Sequence, residues 1–265
     1  MSNLIIKIGT GNEQGVAHLT LNKPEVHNAF DDLLIAEILD ALEAIENNPD
    51  IRVLVLGAKG RHFSAGADLK WMKSIAQLSE QKNRDDAKIL AELMHRLNNL
   101  SKPTIALVNG AAYGGAVGLV ACCDMAVATT RSRFCLSEVK IGLSPAVISP
   151  FVVSAIGERA ARRYLLTAEA FNAHTAADLG LVHELVETEA ELQAKGQELI
   201  HALLQNSPQA ITKTKQLIKT VSRGELDQAK RDYTINLIAS IRVSEEGQEG
   251  LSSFLEKRKA SWVKG

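Results

Sequence analysis

Two segments of this chain place small residues and a helix start directly after an apolar run. RHFSAGADLKWM (61–72) follows IRVLVLGA (51–58), and GAAYGGAVGLVACCD (110–124) follows TIALVN (104–109). Backbone N–H groups in the first turn of a helix lack intrahelical acceptors, and the aligned peptide dipoles add partial positive charge there. Glycine lets a ligand approach such amides closely. That arrangement serves two chemistries: cradling a phosphate, or polarising a carbonyl whose oxygen takes on charge. The phosphate reading lacks its signatures, because neither G-x-G-x-x-G nor G-x-x-x-x-G-K-[ST] occurs. Two strand ends with bare amides, on neighbouring strands, can instead converge on one oxygen as an oxyanion hole. The plainer alternative is that small residues let a helix pack closely on a sheet.

The elements that must hold these segments read as α/β. LIIKI (4–8) and GVAHLTL (15–21) flank a turn-rich TGNEQ and predict a hairpin. LLIAEILDALEAIENN carries the apolar spacing of an amphipathic helix, as does EQKNRDDAKILAELMHRLNNL. IRVLVLGA, TIALVNG and DMAVAT (124–129) read as buried strands, and their alternation with helices points to a parallel sheet. From about residue 187 the pattern becomes a series of amphipathic helices. The chain divides into a core, 1–195, and a C-terminal helical lobe, 196–265.

The order and wording of LNKPEVHNAF, FSAGADLK, NGAAYGGAVGLVACCDMAVA, FCLSEVKIGLSP, LTAEAFNAHTAADLGLVHELV and FLEKRKASW resemble the enoyl-CoA hydratase/isomerase (crotonase) superfamily. The resemblance spans nearly the whole chain. It implies a spiral of ββα units followed by a helical trimerisation lobe, assembled as a homotrimer or a dimer of trimers. It implies an acyl-CoA thioester substrate, with coenzyme A as part of the substrate and no separate cofactor. It assigns the oxyanion-hole amides to Ala65 and Gly115, and an acid/base role to Glu138. Apolar neighbours such as Phe134, Leu136, Val139 and Ile141 are expected to raise the pKa of that carboxyl, which suits proton transfer near neutrality. The same resemblance places Val26, Ala65, Ala67, Asp68, Leu69, Gly114 and Gly115 along the CoA moiety and Lys257 on a CoA phosphate. Trp71, Met72 and Pro145 are expected to line the acyl pocket, and Ser144 to hold a water. Simpler readings stand beside these: a helix cap for Asp68, core packing for Trp71 and Met72, a solvated face for Lys257.

Typical hydratases of this family use two glutamates, and the first belongs three residues after the oxyanion glycine. Here Gly118 occupies that place. Its expected effect is to free volume and to remove a charge that would repel an acidic acyl tail by about 4 kcal/mol at 4 Å. The local wording is similar to bacterial methylglutaconyl-CoA hydratases of the leucine/isovalerate route and to isohexenylglutaconyl-CoA hydratases. The leading expectation is therefore reversible hydration of a branched, carboxylated 2-enoyl-CoA. A 3,2-enoyl-CoA isomerase using Glu138 alone, and a catalytically silent CoA-ester-binding protein, are the alternatives.

Bulk properties exclude other classes. A net charge of −1 over 265 residues offers no basic field for nucleic acid. No apolar stretch has the length of a membrane span, and the N-terminus does not read as a signal peptide, so a cytoplasmic location is expected. Cys122, Cys123 and Cys135 match no metal spacing and are expected to be reduced core residues. The seven histidines form no metal motif, and no G-x-S-x-G elbow occurs.

Overall fold

The computed structural model describes residues 2–222 and 224–263. β1 (Leu4–Ile8) and β2 (Val16–Leu21) form the expected antiparallel hairpin, with Leu4 opposite Leu21. α1 (Asp32–Asn47) follows, capped by Asp31, whose carboxylate accepts the Leu34 amide. Its Leu34, Ile35, Ile38, Ala41, Leu42 and Ile45 recur every three or four residues, so one face is buried. Then come β3 (Val53–Ala58), α2 (Leu69–Ile75), α3 (Glu80–Asn99) and β4 (Thr104–Val108). The short β5 (Ala111–Tyr113) leads into α4 (Gly115–Cys122). β6 (Met125–Thr129), β7 (Arg133–Cys135) and α5 (Ser149–Thr167) repeat that order, and α5 breaks at Gly157. β8 (Phe171–Asn172), α6 (Ala173–Asp178), β9 (Glu184–Val186) and α7 (Glu189–Leu204) follow. α8 (Pro208–Val221), α9 (Gln228–Arg242) and α10 (Glu245–Leu255) end the chain.

The main sheet runs β1-β2-β3-β4-β6-β9 and is parallel from β2 onward. A second, smaller sheet runs β5-β7-β8. Twice in succession the chain passes through the main sheet, the small sheet and a helix: β4-β5-α4, then β6-β7-α5. This is the expected spiral of ββα units.

Side chains alternate across the main sheet with the period of two that strand geometry imposes. Leu54, Leu56, Ala106, Val108, Ala126 and Ala128 join the large core with α1, α3 and α4. Val53, Val55, Ile105, Leu107 and Val127 face the other way, against Leu192 and Ile200 of α7. Each fully buried Val, Leu or Ile contributes about 1.5–3 kcal/mol of hydrophobic stabilisation. α7 is therefore a core element that covers one sheet face. The boundary expected at 195/196 cuts through this helix; the packing moves the break to the turn after Leu204.

Two polar clamps fix the tail to the core. The Arg52 guanidinium, just before β3, donates to the carbonyls of Leu204 (3.0 Å), Asn206 (2.7 Å) and Trp262 (3.0 Å). The Trp262 indole donates to Gln205 O at 3.1 Å. Nearly buried Lys215 of α8 donates to Asp124 Oδ2 at 2.6 Å, and that same oxygen accepts the Thr104 amide. All three cysteines are free, with Cys122 and Cys135 buried. Burial raises every thiol pKa, that of Cys123 to about 12.

Arg52→Ala leaves three carbonyls without their donor, so the urea unfolding midpoint should fall by the equivalent of about 1–3 kcal/mol. Arg52→Lys should recover only part of that loss, because one ammonium cannot reproduce the guanidinium fork.

Candidate active site

The two glycine-bearing segments meet at the carboxyl ends of β3 and β4. Ser64 bridges Ala112 in parallel: the Ser64 amide donates to Ala111 O (2.9 Å), and the Tyr113 amide donates to Ser64 O (3.0 Å). The loop thus adds one residue to the edge of the small sheet. Gly66, with φ +95°, makes this approach possible, since a Cβ there would stand 3.2 Å from Tyr113 O. Gly110, with φ +69°, has the same role against Arg61, whose carbonyl would lie 2.2 Å from a Cβ.

A second bridge decides which amides remain bare. The Phe30 amide donates to Gly66 O (2.8 Å), and the Asp68 amide donates to Phe30 O (2.7 Å). In a parallel bridge the intervening residue, Ala67, turns its own N–H to the opposite side. Among the described residues the Ala67 amide has no acceptor, and neither does that of Gly115, the first residue of α4. The Ala65 amide, by contrast, donates to His27 O at 2.9 Å. This corrects the assignment of Ala65 as an oxygen-holding donor: its hydrogen already has a partner, and the available amide belongs to Ala67. The Phe30 ring, 3.9 Å from the Cβ direction of Gly115, links the two bare positions.

Glu138 arrives from the small sheet. β7 ends at Cys135, whose carbonyl accepts the Gly114 amide at 2.8 Å, and the chain then enters a single turn spanning Glu138–Ile141. One carboxyl oxygen, Oε1, lies 3.2 Å from where a Cβ on Gly114 would stand. The other, Oε2, is buried with no hydrogen-bond partner among the described residues. Burial pushes the Glu138 pKa above the ordinary carboxylate range. The structure thus brings Glu138, Gly114 and Gly115 together, as expected.

Gly118 does not open a pocket. A Cβ there would stand 2.4 Å from Ile148 Cγ2 and 3.2 Å from Met94 Sδ. Ile148, just before α5, and Met94 of α3 fill the place, so the expected free volume is absent.

The remaining candidates divide. Val26 is exposed one residue before His27, whose carbonyl holds the Ala65 amide, so it borders the loop. Asp68 caps α2, accepting the Lys70 (2.8 Å) and Trp71 (3.0 Å) amides; the Trp71 bond is the main cause of its lowered pKa. Leu69 is 81% exposed, whereas Trp71 packs partly against the core and Met72 is half-buried beside it. Pro145 is buried and Ser144 exposed. Lys257 follows α10, which packs on α8 and α9. Two residues that sequence reasoning passed over brace the loops. Buried Asn28 donates to the carbonyls of Lys59 and His62, each at 2.9 Å. His62 Nδ1 accepts the Ala111 amide at 3.1 Å. Among the described residues no cluster of ligating side chains suits a metal, and no helix is long and apolar enough to cross a membrane.

With this geometry in hand, similar proteins are informative. The profile described as Enoyl-CoA hydratase/isomerase matches residues 11–265. A crystal structure of an enoyl-CoA hydratase from Shewanella pealeana is 48% identical, with a TM-score of 0.94 over 98% of this chain and 96% of that one. A 2,3-dehydroadipyl-CoA hydratase from Escherichia coli is 32% identical over 97% of each chain. A hydroxycinnamoyl-CoA hydratase-lyase from Pseudomonas fluorescens is 31% identical over 93% of this chain and 91% of its own.

Adding one methyl at position 118 forces Ile148 to move, so Gly118→Ala should destabilise the fold by about 1–3 kcal/mol. Ile148→Ala alone should lose about 2–5 kcal/mol. The double variant should lose clearly less than the sum, as read from denaturant midpoints.

Proposed function

We propose, from the premise that this chain belongs to the enoyl-CoA hydratase/isomerase family, that it reversibly hydrates the 2,3 double bond of an enoyl-CoA. The observation that carries this reading is Glu138, with its buried, unpartnered Oε2 and its Oε1 against Gly114, the residue that leads into the bare amide of Gly115. The two amides hold the thioester oxygen and stabilise the enolate that forms as water adds; one such donor is worth about 3–4 kcal/mol at the transition state. Glu138, as the carboxylate, takes a proton from water while the hydroxyl oxygen bonds to C3. The resulting carboxylic acid returns a proton to the alpha carbon from the same face. One carboxyl with two oxygens suffices for this syn addition, and its raised pKa suits both halves.

The substrate class we favour is a branched enoyl-CoA with a distal carboxylate, of the methylglutaconyl type. No acid stands at position 118 to oppose a second negative charge, and the Escherichia coli relative acts, by its name, on a dicarboxylic acyl chain. A homotrimer or dimer of trimers, joined through the lobe, is the favoured assembly; Val243, Phe254 and Leu255 expose apolar surface there. The second reading, isomerisation, is favoured by one specific feature: position 118 carries no second acid, and a proton shuttle needs a single base.

Methylglutaconyl-, isohexenylglutaconyl-, crotonyl- and 3-hexenyl-CoA should be compared by enoyl-thioester absorbance. Loss of the signal fastest with methylglutaconyl-CoA is expected. A gain from 3-hexenyl-CoA without hydration would establish the isomerase instead, and no change with any of the four would mean a silent binder.

Glu138→Gln should lower turnover by about 10²–10⁴-fold. The same variant should be more stable than the parent at neutral pH. A raised folded-state pKa stabilises the parent fully only below the unfolded value near 4.5, and that contribution disappears as pH rises through the folded value. The stability gap should therefore close at acid pH, which thermal melts across a pH series would show.

A further inference from the structure

The imidazole of His62 sits where three segments of the candidate site cross. Its Nδ1 accepts the Ala111 amide at 3.1 Å, at the first residue of β5. Its carbonyl accepts the Asn28 side chain at 2.9 Å. Its ring meets that of His27 edge-on, with centroids 5.0 Å apart, and His27 O holds the Ala65 amide. A Cβ on Gly110 would stand 2.8 Å from Nδ1, so the bare glycine is what lets the ring reach the turn. The Ala111 carbonyl accepts the Ser64 amide. Both polar backbone groups of Ala111 are therefore fixed by the 62–64 segment, one through a side chain and one through the backbone.

We propose that His62 is a positioning residue: as neutral imidazole it accepts the Ala111 amide and thereby sets the register between the segment carrying Ala67 and the strand leading to Gly115. This rests on the reading of those two amides as the pair that holds the thioester oxygen. An acceptor at Nδ1 requires that nitrogen to be unprotonated, which places the ring proton on Nε2. Imidazolium has no acceptor, so protonation opposes an N–H to an N–H and breaks the bond. The charged groups around the ring act in the same direction. His27 from the 23–30 loop, Arg61 next to His62 in the chain and Arg131 from the turn between β6 and β7 all disfavour a further positive charge. Glu189 at the start of α7 is engaged with Arg131, which also bonds Asn109. Burial is the largest cause, these charges add to it, and the His62 pKa lies below the ordinary histidine value. The site keeps its register at neutral pH and loosens in acid.

His62→Leu removes the acceptor, whereas His62→Asn presents Oδ1 at the place of Nδ1 and cannot titrate. With crotonyl-CoA as probe, His62→Leu should lose about 10–100-fold in kcat, the scale of a misplaced catalytic frame. Its KM should stay within about threefold, because the loss falls on the transition state. His62→Asn should restore most of kcat, and its acid limb should be shallower than that of the parent, leaving the Glu138 titration alone. Full activity in His62→Leu, no rescue by asparagine, or an unchanged acid limb in His62→Asn would overturn the proposal. An NMR titration of the unmodified protein decides the point without substrate. The Ala111 amide signal should move together with the His62 ring signals. An amide indifferent to that titration would overturn the proposal even in an active enzyme. Coupled titration in a protein that turns over no enoyl-CoA would support the His62 contact while removing the catalytic reading beneath it.

Discussion

Four backbone hydrogen bonds hold the 61–68 loop between Phe30 on one side and β5 on the other, and the chemistry depends on them. Each bridge engages one residue's amide and carbonyl and turns its neighbour's amide outward. Ala67 lies between the two residues paired with Phe30 and keeps its amide bare, whereas the Ala65 amide is taken by His27 O. Glycine at 66 and 110 is required because the backbones approach more closely than a Cβ permits. The amides are set by β-type pairing across three segments distant in sequence, which gives rigidity that a free loop lacks.

That rigidity supports an unfavourable group. A carboxyl oxygen buried without a partner destabilises a fold in its charged form, and Glu138 Oε2 is such an atom. The cost is tolerated because the surroundings are heavily over-determined. The main sheet is covered on both faces, by α1, α3 and α4 on one and by α7 on the other. Ile148 and Met94 close the space beside Gly118, so α4 is packed tightly at its middle.

Much of the architecture was legible from periodicity. The hairpin, α1, α3 and the three central strands announce themselves through amphipathic helical repeats or through apolar runs of strand length. The small sheet was not legible. Ala111–Tyr113 and Arg133–Cys135 are three residues each, too short to display alternation, and the first lies among glycines that read as a turn. The place of Glu138 was legible through the family wording. The identity of the second amide was not, because its direction is fixed by Phe30, far away in the chain. Gly118 misled in a similar way: a missing side chain says nothing about which neighbour moves into the space. The boundary expected near 195 lies inside α7, whose periodicity resembles that of the tail, while only three-dimensional packing reveals which face of the sheet it covers.

The thiols carry a consequence for anyone wishing to watch this molecule at work. Cys122 and Cys135 are enclosed and burial pushes the Cys123 thiol up to about 12, so alkylating dyes find little thiolate at the native positions. A cysteine introduced at Leu69, exposed at the first residue of α2, would label selectively without first stripping the native sulfurs. The fold arrives already prepared for a single reporter next to the 61–68 loop.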